Sequence, residues 1–157
     1  MKLLPMFMPG HVEQLGTHVF TADEIVAFAR NFDPQIFHLD AEAAKNSVLG
    51  GLCASGWHTV AMWMRKQRDR TAELLIELER DGYSKLEYGP SPGFRNLRWI
   101  RPVYAGDAIS YTSETAEFRA SASRPGWHVM TGRNAGTNQN GQPVMTFESA
   151  VLLKYPA

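Results

Sequence analysis

A carboxylate and an imidazole, Asp33 and His38, stand five residues apart across a turn that Pro34 constrains. Imidazole changes charge near neutral pH, and a carboxylate can orient or deprotonate a bound molecule. Two such groups converging on one small volume can hold a water and move its protons. On spacing alone, a turn-capping aspartate beside a half-buried histidine is the commoner arrangement, because Asp-Pro turns are frequent. The second candidate is the apolar run Gly50 to Met64, led by Gly50-Gly51. A helix start offers unpaired backbone amides and the positive end of the helix dipole, both suited to a developing oxyanion. Glycine at Gly51 lets a carbonyl come close, and Ala54, Ser55 and Gly56 are small enough for a ligand to approach. Taken alone, this segment reads more readily as a tight loop ahead of a plain core helix. His58 and Thr59 lie further along; either can hydrogen-bond a substrate or be a satisfied core group. Gly51, Ser55 and Thr59 are therefore the candidate substrate- and oxyanion-binding residues.

The elements that must position these groups divide the chain into a helical first half and a strand-like second half. That order predicts an α+β fold with helices gathered on one side of an antiparallel sheet. Thr21-Ala22-Asp23-Glu24 has the form of a capping box, and Ile25, Phe28, Ala29 and Phe32 follow as one apolar stripe. Pro34 biases Asp33 away from helical geometry, so this helix should stop near Asn31 or Phe32. A short helix is expected from Asp40 to Asn46, capped by Asp40. A mostly buried helix should begin near Gly51 and emerge into water at Arg65 to Arg70. A separate amphipathic helix is expected at Ala72 to Arg80, stopped by Gly82. Strands are predicted at Phe94–Arg101, Ala108–Arg119, Trp127–Asn138 and Val144–Tyr155, with a fifth near His18 to Phe20. Asn140-Gly141 is a tight-hairpin signal between the last two. Long antiparallel strands curling around one buried helix would absorb these runs.

Composition limits the function. At 157 residues the chain suits one domain, 1–157, and 44% apolar residues supply an interior. Lys plus Arg is 16 and Asp plus Glu is 16, which argues against nucleic acid as the main partner. Arg95, Arg98 and Arg101 recur every three residues, so on a strand they make no single basic stripe. Zero net charge mildly favours self-association. Cys53 is the single cysteine, so no intrachain disulfide forms. The histidines show no metal-ligand spacing, and no metal is expected. No run approaches the roughly 18 apolar residues of a membrane span, and the apolar start lacks a cleavage signature, so a soluble cytoplasmic protein is expected.

Asp33-Pro34-Gln35-Ile36-Phe37-His38 resembles the hydratase signature Asp-x-Asn-Pro-(Leu or Ile)-His of the MaoC-like dehydratase family, which includes the (R)-specific enoyl-CoA hydratases. A glycine-led helix follows at Gly51-Leu52-Cys53-Ala54-Ser55. Pro102-Val103-Tyr104-Ala105-Gly106-Asp107 resembles the family's Pro-Val-x-x-Gly-Asp turn between two long strands. The resemblance runs from about Phe20 to Tyr155. It implies a hot-dog fold, a homodimer or larger homo-oligomer, and coenzyme A thioesters as substrates, with coenzyme A part of the substrate and no separate cofactor. Asp33 and His38 would bind and activate water, and the Gly51 amide would polarise the thioester carbonyl. Thr59 falls near a position where relatives carry a serine. The chain departs from the pattern in having Gln35 for Asn, Ile36 for Pro, a proline at Pro34, and Gly50 for the His that commonly precedes the helix glycine. The expected activity is reversible addition of water to a 2-enoyl thioester. The alternatives are a hot-dog thioesterase, which usually carries an acid on or just before the central helix where Cys53 to Thr59 has none, and a noncatalytic acyl-binding module.

Overall fold

Thr21 opens the first helix by accepting a hydrogen bond from the Glu24 amide at 3.3 Å, as the capping box requires. The computed structural model describes residues 3–83 and 86–154. Strand β1 (Val12–Val19) precedes this helix, α1 (Ala22–Phe32), and two short helices follow, α2 (Ile36–Leu39) and α3 (Ala41–Lys45). Asp40 caps α3 by accepting from the Ala43 amide at 2.9 Å. The long helix α4 spans Gly56–Arg80, and the rest is strand: β2 (Glu87–Tyr88), β3 (Gly93–Trp99), β4 (Ala108–Ala120), β5 (Trp127–Thr137) and β6 (Pro143–Lys154). One antiparallel sheet runs in the order β1-β4-β5-β6, and β2 and β3 pair with successive lengths of β6.

Three expectations change. The central helix begins at Gly56, not near Gly51, because Leu52 to Ser55 run extended and are tied to neighbouring segments: Cys53 bridges Tyr104, and the Ala54 amide donates to the Val103 carbonyl at 2.8 Å. The helix expected at Ala72–Arg80 is the continuation of α4. Nothing between Arg65 and Thr71 breaks a helix, and the charges there pair along it, Arg65 with Asp69 at 3.0 Å and Arg70 with Glu77 at 3.0 Å. The single turn α2 carries no start signal other than its position after Pro34, and it falls where a plain turn is expected. The strands lie where predicted, with β1 extended back to Val12 and the short β2 added; the expected end of the last strand at Tyr155 falls outside the described residues.

The sheet curls around α4. Register shifts at Gln14/Gly16 on β1 and Thr115/Glu117 on β4 bend the strands. Near the start of α4 the core is built from Phe20, Ile25, Trp63, Ile109, Tyr111 and Met145. Near its end a second cluster gathers Leu4, Phe7, Leu78, Leu86 and Leu153. Two hydrogen bonds pin the helix to β4: the Trp63 indole donates to the Thr112 carbonyl at 3.2 Å, and the Tyr111 hydroxyl donates to the Thr59 carbonyl at 2.8 Å. At the far half, Arg70 reaches Glu13 on β1 at 2.5 Å. Gly136 on β5 leaves room for this packing, since a Cβ there would press on Ile109, Met145 and Tyr111 at 3.1 Å. Among the described residues, no helix is long and apolar enough to cross a membrane.

Tyr111→Phe removes the buried hydroxyl without opening a large cavity. The denaturation midpoint should fall by the equivalent of about 1 kcal/mol, with the denaturant slope unchanged.

Candidate active site

Asp33 is the residue at which α1 stops. Its amide still donates to the Ala29 carbonyl at 2.9 Å, but Pro34 forces it out of the helix, to φ −154° and ψ 69°. The chain then re-enters a helical turn at Ile36, and the His38 amide donates to the Gln35 carbonyl at 2.9 Å. That turn swings His38 inward, where it is 5% exposed. Gln35 does more than shape the turn. Its side-chain amide donates to Asp33 Oδ1 at 2.7 Å, which leaves Oδ2 directed at the histidine.

His38 Nδ1 lies 2.5 Å from the Cys53 carbonyl oxygen. A carbonyl only accepts, so Nδ1 carries the proton and Nε2 is the nitrogen that gains or loses one. Nε2 stands 3.4 Å from Asp33 Oδ2. A neutral imidazole nitrogen and a carboxylate oxygen are both acceptors, so a water donating one hydrogen to each suits this pair. Burial pushes the Asp33 carboxyl up, but hydrogen bonds from Gln35 and Ser55 and the field of His38 outweigh it, and the net shift is downward. Asp33 is thereby held as a carboxylate.

Ser55, at the N-cap of α4, is fully buried; its hydroxyl makes no hydrogen bond of standard geometry, yet lies close enough to Asp33 to lower the carboxylate's pKa. The amides of Gly56 and Trp57 begin the helix and have no intrahelical acceptor. The helix-end charge reasoned for Gly51 therefore resides at Gly56, five residues on. Gly51 sits in the bend upstream, against the ring of Tyr104. An open cavity of about 340 Å³ unites His38, Cys53, Gly56, Thr59, Trp99 and Arg101. Thr59 lines it from the next turn of α4, its hydroxyl donating to the Gly56 carbonyl at 2.6 Å. His58 faces the other way, stacked on Phe28 with ring centroids 4.6 Å apart, and 3.7 Å from Glu24. Burial lowers its pKa, against the opposing pull of Glu24. Of the three arginines spaced along β3 and beyond, Arg101 alone lines this cavity.

Sequence reasoning missed Gln35 as the group that orients Asp33, the Cys53 carbonyl, Gly56 and Trp99. Ser55 followed by Gly56 was a readable helix start, since serine is a favoured N-cap; the Gly50-Gly51 pair drew the expectation upstream. A backbone carbonyl carries no residue-type signal at all. Among the described residues, no cluster of three His, Cys, Asp or Glu side chains is placed to hold a metal ion. Cys53 is buried, and burial pushes its thiol up to about 11. The native protein at neutral pH should therefore resist a thiol-specific disulfide reagent, and label stoichiometrically only after denaturation.

The family model for the FAS1-like dehydratase domain region matches residues 8–147. A MaoC-like dehydratase from Rhodospirillum rubrum has 33% sequence identity, with 96% of this chain and 94% of that one covered and a TM-score of 0.76. An (R)-hydratase from A. caviae involved in PHA biosynthesis shares the fold at 21% identity, over 95% of this chain and 97% of that one, with a TM-score of 0.63. The uncharacterized protein YdeM of Bacillus subtilis (strain 168) is 27% identical over 96% of this chain and 98% of its own length. These similarities carry the hot-dog fold that the resemblance implied, with its long helix and curled sheet. The chain belongs to the MaoC-like dehydratase family of hot-dog proteins.

Proposed function

We propose that this protein adds water across the 2,3 double bond of an acyl thioester, or removes it in reverse, with coenzyme A as the acyl carrier. The observation that carries the reading is the pair of acceptors, Asp33 Oδ2 and His38 Nε2, 3.4 Å apart beside the start of α4. A water donating to both keeps its oxygen lone pairs free, and one of them can attack the β-carbon. As that C–O bond forms, Nε2 takes a proton from the water and the imidazolium is stabilised by Asp33 and by the Cys53 carbonyl. The π electrons move to the thioester oxygen, and the Gly56 amide at the helix end stabilises that enolate. Return of the proton to the α-carbon completes net addition of water and restores the neutral imidazole. Ser55 and Thr59 border this chemistry, Ser55 by holding Asp33 ionised and Thr59 from the cavity wall. Arg101 at the cavity rim offers a cation to an anionic portion of the substrate. Membership of a dehydratase family favours this reading over a thioesterase, as does the lack of an acid from Cys53 to Thr59. Phe94, Trp99 and Ile100, all exposed on or beside β3, favour a homo-oligomer assembled over that strand.

The test is loss of the enoyl-thioester absorbance on crotonyl-CoA and longer enoyl-CoAs. Wild type should turn over at least one of them, and Asp33→Asn and His38→Gln should each lower kcat by about 100-fold or more. Release of free thiol in place of hydration would transfer the protein to the thioesterases. Asp33 is a carboxylate with a depressed pKa, so its carboxyl carbon, followed by NMR against pH, should titrate below the ordinary carboxylate range. In the Gln35→Ala variant, without the donor to Oδ1, that titration should move to higher pH.

A further inference from the structure

His58, on the first turn of α4, meets α1 on two of its turns. The flat face of its imidazole lies on the ring of Phe28, with centroids 4.6 Å apart and planes 5° from parallel. Its Nε2 edge points at Glu24 Oε1, 3.7 Å away. The same oxygen lies 2.5 Å from His18 Nε2 of β1, so Glu24 joins β1, α1 and α4. Phe20 closes over the imidazole edge-on, with centroids 4.9 Å apart. His58 is buried and its Nδ1 makes no hydrogen bond, so the hold is by ring contact and by Nε2.

Glu24 and Phe28 are four residues apart on α1, and Phe32 follows four later, its ring 5.0 Å from that of Phe28. Residues at that spacing share one face of a helix. Ile25 and Ala29, both fully buried, keep α1 on the core. The grip on Glu24 and Phe28 sets the angle at which the helix is rolled about its own axis. Asp33 leaves the helix one residue after Phe32, so that roll decides where its carboxylate arrives. The ring that sets it stands on the same turn of α4 as Gly56, directly after the Ser55 cap. Asp33 is thereby referred to the very turn beside which it works.

We propose that His58 is a positioning residue, whose ring face fixes the roll of α1 and so holds the Asp33 carboxylate against Ser55 and His38. It does not line the cavity and touches no reacting atom. Its effect on catalysis rests on the hydratase reading above, and its effect on Asp33 does not.

The test reads Asp33 and turnover separately in wild type, His58→Ala, His58→Gln and His58→Phe. In His58→Ala the Asp33 carboxyl carbon, followed by NMR, should titrate at higher pH than in wild type, because the Ser55 and His38 contacts that lower it loosen. On an enoyl-CoA that wild type hydrates, kcat should fall about tenfold or more while KM changes less than about threefold, as for a displaced group and not for lost binding. His58→Phe restores the face on Phe28 and should recover most of both. His58→Gln has no ring face, should behave as the alanine variant does, and carries the test if that variant does not fold. A folded alanine or glutamine variant in which Asp33 titrates as in wild type would overturn the proposal, even if kcat falls. So would a phenylalanine variant as impaired as the alanine one. An upward shift of the titration, reversed by phenylalanine, in a protein that hydrates no enoyl-CoA would leave the positioning of Asp33 standing and sink the hydratase reading.

Discussion

The site depends on one hydrogen bond, from His38 Nδ1 to the carbonyl of Cys53. It fixes the tautomer, turns the ring, and leaves Nε2 as the working nitrogen. It also requires that two stretches of chain with no sequence contact be brought into register. The Cys53 amide donates back to the Phe37 carbonyl at 3.1 Å, so the α2 turn and the segment before α4 hold each other from both directions. That segment is held in turn by Tyr104 and Val103, at the loop joining β3 to β4. A histidine on a four-residue helix would otherwise have little to keep it in place, since so short a helix is not stable alone.

The curled sheet explains why the chemistry lies at the start of α4. A helix of 25 residues is about 37 Å long at 1.5 Å per residue. The sheet covers it with two apolar clusters, one near each end. The segment before Gly56 cannot join the helix because it is spent on bridging to Tyr104, so the first amides of α4 are left facing a cavity. The same arrangement buries Ser55 beside Asp33 and sets Thr59 one turn deeper. Capping, strand pairing and catalytic geometry are thus consequences of where one helix is allowed to begin.

Much of this was legible in the residues. Thr21 to Glu24 announced α1, Pro34 ended it, Asp40 announced α3, and the strand runs from Phe94 onwards were bounded by clear turn signals. The spacing of Asp33 and His38 offered, and the resemblance to the hydratase signature selected, the pair that the fold brings to 3.4 Å. The start of α4 was misplaced because two glycines look like a helix entry, while the tie that delays the helix to Gly56 is a bridge to residues about fifty positions away. The continuity of α4 through Arg65 to Arg70 was hidden by the loss of an apolar face, which marks emergence into water and not the end of a helix. Gln35 stands where the family pattern has Asn, and its compensating bond to Asp33 is visible only once the turn is folded.

The two ends of α4 are held by different means. Around Gly56 the helix meets glycine, serine and a half-exposed indole, whereas from Arg70 onwards it is clamped by an ion pair to β1 and by the cluster around Leu78. The helix is in effect a beam built in along its length, through Thr59 and Trp63 at one end and Arg70 and Leu78 at the other, with only one face of its first turn left to receive a guest. Changes of side chain on that face can reshape the cavity while the rest of the beam continues to carry the fold, so substrate range and folding stability can drift independently within a single element.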